Sequence, residues 1–380
     1  MCQNEYIGYD SLHRLTSILE KFHARNMFIV TGKHSYESCG AKAFIEQATS
    51  CAERCIFSDF RNNPDIEDVE RGIALLKEAG RTFDLVIAIG GGSVIDMAKL
   101  ISVLSVQPES PIRYVNKHAA ITVPSLPLVA LPTTSGSGSE ATHFAVVYVG
   151  RVKHSLAHHF ILPDVAIVDP TFTMNLPRDV TAVSAVDAFS QAIESYWSIK
   201  STPESQRIAR EAIQLLATYM IDNARQPTSH TRYMIAKAAH LAGKAINLTY
   251  TTAPHALSYP LTSYFGIPHG HAVGVTLGEV FVYNGQVTKN DVNDPRGTSF
   301  VKDIMAELCS LLDCDNVHAA QERIAEYMRL TGLHTRLCEL GIHSEQDLDL
   351  VVQNINIERL RNNPRAFTQE SLRKLLRRIL

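Results

Sequence analysis

The segment "VDAFSQAIESYW" (186–197) sets Asp187, Gln191 and Glu194 at i, i+4 and i+7, a single stripe of an α-helix. Val183, Val186, Phe189, Ile193 and Tyr196 or Trp197 form its apolar surface. A solvated polar face would explain that stripe if it stood alone. Further along, "TTAPHALSYPLTSYFGIPHGHAVGV" (251–275) carries His255 and His269 in a nearly uncharged stretch punctuated by Gly and Pro. A carboxylate oxygen, an amide oxygen and two imidazoles are a donor set for Zn²⁺ or Fe²⁺ with room left for a substrate oxygen. On these residues alone, two satisfied histidines beside a wet helix face remain the competing explanation.

A second chemical feature lies in "AIGGGSVIDMAKL" (88–100). An apolar run ends in Gly90, Gly91 and Gly92 and a helical pattern starts at about Ser93. Backbone amides and the positive end of a helix dipole then face the strand tip, a setting for phosphate. The segment is neither GxGxxG nor a P-loop, and a plain turn with a Ser cap is the alternative. "LPTTSGSGSEAT" (131–142) follows another apolar run and offers Thr133, Thr134, Ser135, Ser137 and Ser139 hydroxyls among glycines. Two such loops after parallel strands point to a dinucleotide site.

The elements that must position these groups change character near residue 172. Before it, short β-branched runs (26–32, 54–60, 83–92, 127–134 and 165–170) alternate with helical patterns such as 65–80 and 94–106. Apolar on both faces, these runs predict a parallel sheet covered on both sides. After residue 172, 3.6-residue periodicity dominates over 179–198, 204–224, 230–248, 272–283, 298–313, 318–331 and 367–379, with no convincing strand. The expected fold is α/β plus all-α: a Rossmann-like domain over 1–172, a helical domain over 173–380, and a cleft between them.

With 380 residues, 45% hydrophobic and 20% charged, the chain has enough material for two cores. Thirty-six Lys plus Arg against 39 Asp plus Glu give a net charge of −3, which offers no basic footprint for nucleic acid or an anionic membrane. No stretch reaches the roughly 18 apolar residues of a membrane span, and "MCQNEYIGYDSL" has no apolar signal core. Seven scattered cysteines, Cys2, Cys39, Cys51, Cys55, Cys309, Cys314 and Cys338, suit free thiols and a cytoplasmic location.

"GGGSVIDMAK", "PTTSGSGSEAT", "DAFSQAIES" and "HALSYPLTSYFGIPHG", in this order, resemble the iron-containing (group III) alcohol dehydrogenase family, related in fold to glycerol dehydrogenase and dehydroquinate synthase. The resemblance implies a dehydroquinate synthase-like fold, a homodimer, and hydride transfer from NADPH or NADH to an aldehyde polarised by Fe²⁺, with Zn²⁺ or Mn²⁺ as substitutes. The family's metal ligands fall on Asp187, Gln191, His255 and His269, with Gln191 in place of the usual His. An amide oxygen is a harder, weaker donor than imidazole and favours Fe²⁺ or Mn²⁺ over Zn²⁺. A further family histidine near the nicotinamide is replaced by Tyr259, which becomes a candidate proton donor with His271 as its rival.

The family's cofactor positions map to Gly32, Lys33, Asn63, Gly91, Gly92, Ser93, Asp96, Thr133, Thr134, Thr142 and Lys153. Gly32 and Lys33 stand where an Asp would select NAD, so the expectation tilts toward NADPH. The Gln191 variant, with 194–205 and 251–263, is similar to the branch that reduces phosphonoacetaldehyde to 2-hydroxyethylphosphonate. Thr251, Thr252, Lys244 and His271 are candidate donors to such an anion. Other small aldehydes, a lyase of the dehydroquinate synthase type and a metal-free nucleotide-binding protein remain as alternatives.

Overall fold

The computed structural model describes residues 3–380; Cys2 lies outside them. The chain forms two compact units, Met1–Leu176 and Pro177–Leu380, parting four residues beyond the change in sequence pattern.

Among the described residues of the first unit eight strands form: β1 (Asn4–Ile7), β2 (Asn26–Thr31), β3 (Glu53–Phe57), β4 (Leu85–Gly90), β5 (Leu128–Pro132), β6 (Phe144–Val149), β7 (Val152–Ala157) and β8 (Val165–Val168). Six of them make a parallel sheet in the order β1-β8-β5-β4-β2-β3. Every residue of β4, β5 and β8 is buried, as a sheet covered on both faces requires. β3 departs from the expectation. At the sheet edge only Phe57 is buried and Ile56 is 46% exposed.

The chain runs from β2 outward to β3 and then crosses back to β4 on the other side of β2, so strand order reverses between β2 and β4. The crevice beyond the carboxyl ends of two such strands is where open α/β sheets bind ligands. Gly32 and Lys33 follow β2, and the glycine turn follows β4.

β1 and the antiparallel hairpin β6–β7 were not expected. β1 is only four residues long, and the hairpin closes through Gly150-Arg151 with Gly150 at φ 61°, a left-handed conformation that glycine reaches without steric cost.

The second unit is helical, and its one β contact among the described residues is an isolated bridge between Val292 and Arg365. Its core gathers Phe189, Trp197, Phe281, Leu216 and Leu257, among others, at almost no exposure. Burying each such aliphatic or aromatic side chain contributes about 1.5–3 kcal/mol. Four helices start with reciprocal capping boxes at Thr202, Thr228, Ser344 and Thr368, each satisfying amides that a helix start leaves open. An unexpected helix spans Ala253–Phe265. It contains Pro260 in its interior and Pro254 in its first turn, and proline reads as a breaker until packing overrides it.

Candidate functional site

In the first unit, helix α1 (Gly92–Leu104) starts at the tip of β4 with Gly91 as its cap residue and no capping side chain. A Cβ on Gly91 would lie 3.3 Å from Thr134 Oγ1, and one on Gly92 would meet Ser137 Oγ at 2.5 Å and Ser137 Cβ at 2.8 Å. The glycine turn and the 133–139 loop therefore fit together only without side chains on the turn. Thr133 anchors that loop by donating its amide to the Gly90 carbonyl at 3.0 Å.

Beneath the loop, Lys99 is completely buried. Its Nζ donates to Ser139 Oγ, Thr142 O, Thr142 Oγ1 and Phe144 O at 2.8–3.0 Å. Burial pushes its pKa down to about 8 against the pull of Asp96 and Glu140. Asp96 accepts from Ser139 Oγ at 2.5 Å and from the Val146 amide at 3.0 Å, and Lys153 on β7 is close enough to act on its charge. Asp96 and Thr142, expected at the cofactor, thus hold the loop and the hairpin together. Asn63 is exposed beyond β3. Lys33 Nζ lies 3.6 Å from Asp59 Oδ1, both side chains being mostly exposed.

In the second unit, α2 (Arg178–Trp197) carries Asp187, Gln191 and Glu194, α3 (Ala253–Phe265) carries His255 and Tyr259, and α4 (His269–Gly285) opens with His269. Asp187, Gln191 and His255 are at most 6% exposed. Ligand atoms of Asp187, His255 and His269 all lie within 4.8 Å of one another. The close approach depends on Gly270, where a Cβ would lie 2.1 Å from the Val183 carbonyl oxygen and 2.9 Å from Asp187 Cβ. One turn on, a Cβ on Gly274 would strike Val186 at 2.4 Å, so two glycines of α4 lie flush on α2.

The polar atoms aimed into this cluster are poorly served by the protein. Asp187 Oδ1 and Gln191 Oε1 are buried without a hydrogen-bond partner. His255 Nε2 is 3.4 Å from Asp187 Oδ1, close enough for charge attraction and too poorly aligned for a hydrogen bond. Each orphaned buried acceptor costs about 1–3 kcal/mol. Burial raises the Asp187 carboxyl, yet the neighbouring His255 and His269 outweigh it and hold the pKa below the usual range. Burial likewise opposes a charge on His255, but the Glu194 charge and the Asp187 contact lift it to about 9. Two orphaned oxygens converging with two imidazoles fit a divalent cation. Asp187, Gln191, His255 and His269 are the residues to hold it.

Glu194, on the same stripe but not expected in the site, is wholly buried. Its Oε1 accepts from the Thr252 amide (2.8 Å), the Thr252 hydroxyl (3.0 Å) and the His255 amide (3.3 Å), and its Oε2 meets His255 Nδ1. Trp197 Nε1 donates to Thr252 Oγ1 at 2.8 Å. The Thr252 hydroxyl is therefore occupied, and the Thr251 carbonyl accepts from Asn362 Nδ2 at 3.0 Å. His271 follows His269 by two positions, so it points away from the cluster. Its Nε2 meets the His334 carbonyl at 2.9 Å, and burial lowers its pKa. Tyr259 lies one turn from His255 and is 9% exposed, and Ser258 Oγ is 3.3 Å from His269 Nδ1. Lys244 is half-buried on the helix Ser229–Thr249.

Residues 3–170 match the family described as iron-containing alcohol dehydrogenase, and residues 181–380 match the C-terminal part of the Fe-containing alcohol dehydrogenase family. The chain belongs to the iron-containing alcohol dehydrogenase family and is an oxidoreductase acting on CH–OH groups.

Among its relatives is a phosphonoacetaldehyde reductase of Streptomyces viridochromogenes, 36% identical over 77% of this chain and 75% of the relative. Long-chain-alcohol dehydrogenase 1 of Geobacillus thermodenitrificans is 32% identical over 73% of this chain and 71% of its own length. A sulfoacetaldehyde reductase of Bifidobacterium kashiwanohense, solved in complex with NAD⁺, superposes with a TM-score of 0.88 at 29% identity, covering 99% of this chain and 96% of that one.

Proposed function

We propose that the protein is a metal-dependent aldehyde reductase whose substrate is a small anionic aldehyde, phosphonoacetaldehyde first, reduced to 2-hydroxyethylphosphonate. The observation that carries the reading is the pair of orphaned buried oxygens, Asp187 Oδ1 and Gln191 Oε1, beside two imidazoles. A protein with no metal would gain from replacing them with apolar groups, which argues against the metal-free reading. A bound divalent cation supplies Lewis-acid stabilisation of charge developing on an aldehyde oxygen, and reduced nicotinamide supplies the hydride.

This chain's own residues do the rest. The glycine turn and the N-terminus of α1 present amides to a pyrophosphate. Asp187, Gln191, His255 and His269 fix the cation, with Fe²⁺ favoured by two oxygen donors. Tyr259, one turn from His255 on α3, is the proposed holder of a proton for the product oxygen rather than His271, which follows His269 by two positions on α4 and so faces away. Asp59 beside Lys33 partly offsets the charge on which a preference for NADPH rested. NADH is proposed to serve alongside NADPH, in line with the NAD⁺ complex of the sulfoacetaldehyde reductase. The six described cysteines are free thiols, which supports a reducing cytoplasmic setting, and a homodimer is the proposed assembly.

Phosphonoacetaldehyde and sulfoacetaldehyde are both two-carbon aldehydes bearing a tetrahedral oxyanion, and relatives named for each resemble this chain. The test is NADH and NADPH oxidation by the iron-loaded protein with phosphonoacetaldehyde, sulfoacetaldehyde, propionaldehyde and lactaldehyde. A kcat/KM for phosphonoacetaldehyde about tenfold or more above the uncharged aldehydes, equivalent to about 1.4 kcal/mol, is expected. Equal rates overturn the substrate, and no oxidation of either nucleotide overturns the reductase.

A further inference from the structure

Helices α2, α3 and α4 start without a capping side chain of their own, unlike the four helices with capping boxes. At α3 the missing cap comes from elsewhere: the Glu194 carboxylate, on α2, takes the Thr252 and His255 amides and the Thr252 hydroxyl with one oxygen. A negative charge at a helix start is favourable by about 0.3–1 kcal/mol, and more when partly buried. The other oxygen meets His255 Nδ1, while His255 Nε2 faces Asp187. The imidazole is held from behind by a carboxylate, with the opposite nitrogen turned toward the candidate metal ligands.

We propose that Glu194 is a positioning residue of the metal centre: by accepting the Nδ1 proton of His255 it fixes the tautomer that leaves the Nε2 lone pair for the cation. The Glu194 carboxylate is fixed chiefly by the Thr252 and His255 amides, and the Thr252 hydroxyl, which accepts from the buried Trp197 indole, adds a further contact. An imidazole with its proton at Nδ1 can ligate only through Nε2, and a carboxylate partner raises the basicity of that nitrogen. With Gln191 offering a weaker oxygen donor, the hold on His255 carries more of the affinity. This inference rests on the proposed metal centre.

The experiment is Co²⁺ binding to the metal-free, full-length protein by chelator competition and by the visible ligand-field spectrum. Glu194→Gln keeps the size and an oxygen for the helix amides, but offers N–H to His255 Nδ1 and so favours the wrong tautomer. Its Co²⁺ affinity is expected to fall about 10- to 100-fold, with the far-UV circular dichroism retained. Thr252→Val leaves the Glu194–His255 bond in place and is expected to lose less than about threefold.

Wild-type affinity in Glu194→Gln, or an equal loss in Thr252→Val, overturns the proposal. Should Glu194→Gln fail to fold, ¹⁵N spectra of the zinc-loaded wild type decide: His255 protonated at Nδ1 supports the proposal, and metal at Nδ1 overturns it. A wild type that takes up no Co²⁺ overturns the metal centre itself, a result distinct from one in which the wild type and Glu194→Gln bind equally.

Discussion

Two buried polar clusters, one in each unit, are satisfied to different degrees. Around Lys99 in the α/β unit every charge is met: the ammonium has four acceptors and both Asp96 oxygens have donors. Around Asp187 in the helical unit, two buried oxygens face each other's neighbourhood with no donor. A satisfied buried network fixes a scaffold, whereas an unsatisfied one costs stability and persists where a ligand completes it. On the proposed function, the difference separates residues that build the loop after β5 from residues that a cation would complete.

Asp187→Ala sharpens that contrast most. It removes the proposed charged oxygen ligand, whose Oδ1 is an orphaned buried acceptor. Tightly bound metal should disappear and kcat/KM should drop about a thousandfold, the equivalent of about 4 kcal/mol of lost charge stabilisation. In the metal-free protein, relief of the orphaned acceptor is opposed by loss of the attraction to His255 and His269, so the melting temperature should move less than in Lys99→Met. Metal analysis, steady-state rates and calorimetry of the stripped protein check all three.

Lys99→Met should do the reverse. Removing one member of a buried charge network typically costs about 3–5 kcal/mol, so urea unfolding of the α/β unit should move to lower concentration while metal affinity stays within about twofold. A Lys99 variant as stable as wild type, or one that loses metal, would break the comparison.

Gly270→Ala tests the backbone approach. Its Cβ would overlap the Val183 carbonyl oxygen, and forced overpacking costs about 1–3 kcal/mol. Metal affinity should fall at least as much as stability, read by chelator competition alongside thermal melting.

The pH dependence of metal uptake follows from His255. In the metal-free protein its pKa is lifted to about 9 from an unfolded value of about 6.5. The stability it contributes is therefore complete below about 6.5 and lost as pH rises through 9. Metal needs the neutral ring, so uptake releases a proton in that window, and affinity should climb by up to about tenfold per pH unit. Titration in two buffers of different ionisation enthalpy measures the proton. A pH-independent affinity between 6.5 and 9 contradicts the assignment of His255 as a ligand.

The smallest effect belongs to Asp59→Asn, which frees Lys33. Exposed ion pairs are worth about 0–1 kcal/mol, so the NADPH to NADH ratio of kcat/KM should rise no more than about fivefold.

Much of this was legible in the sequence. Apolar runs gave the central strands because residues buried on both faces leave a continuous signature, as in β4 and β5. The Asp187–Gln191–Glu194 stripe was visible as spacing, yet its two outcomes were not: Asp187 and Gln191 are orphaned, and Glu194 is saturated by α3. Only tertiary packing distinguishes them. The helix around His255 was hidden by Pro254 and Pro260, whose local preference is overridden by a buried helix face. Asp96 and Thr142 follow the same logic in the other unit, since no local pattern announces that Lys99 reaches the loop after β5. Asp59 is beyond local reasoning as well, being 26 positions from Lys33 in sequence.

The central claim is that those orphaned oxygens are metal ligands, and anomalous scattering at the iron edge from crystals of Fe²⁺-loaded protein tests it directly. A single peak about 2.0–2.2 Å from Asp187, Gln191, His255 and His269 is the expected result. No peak there, or a cation bound with the Gln191 amide turned away, would contradict it.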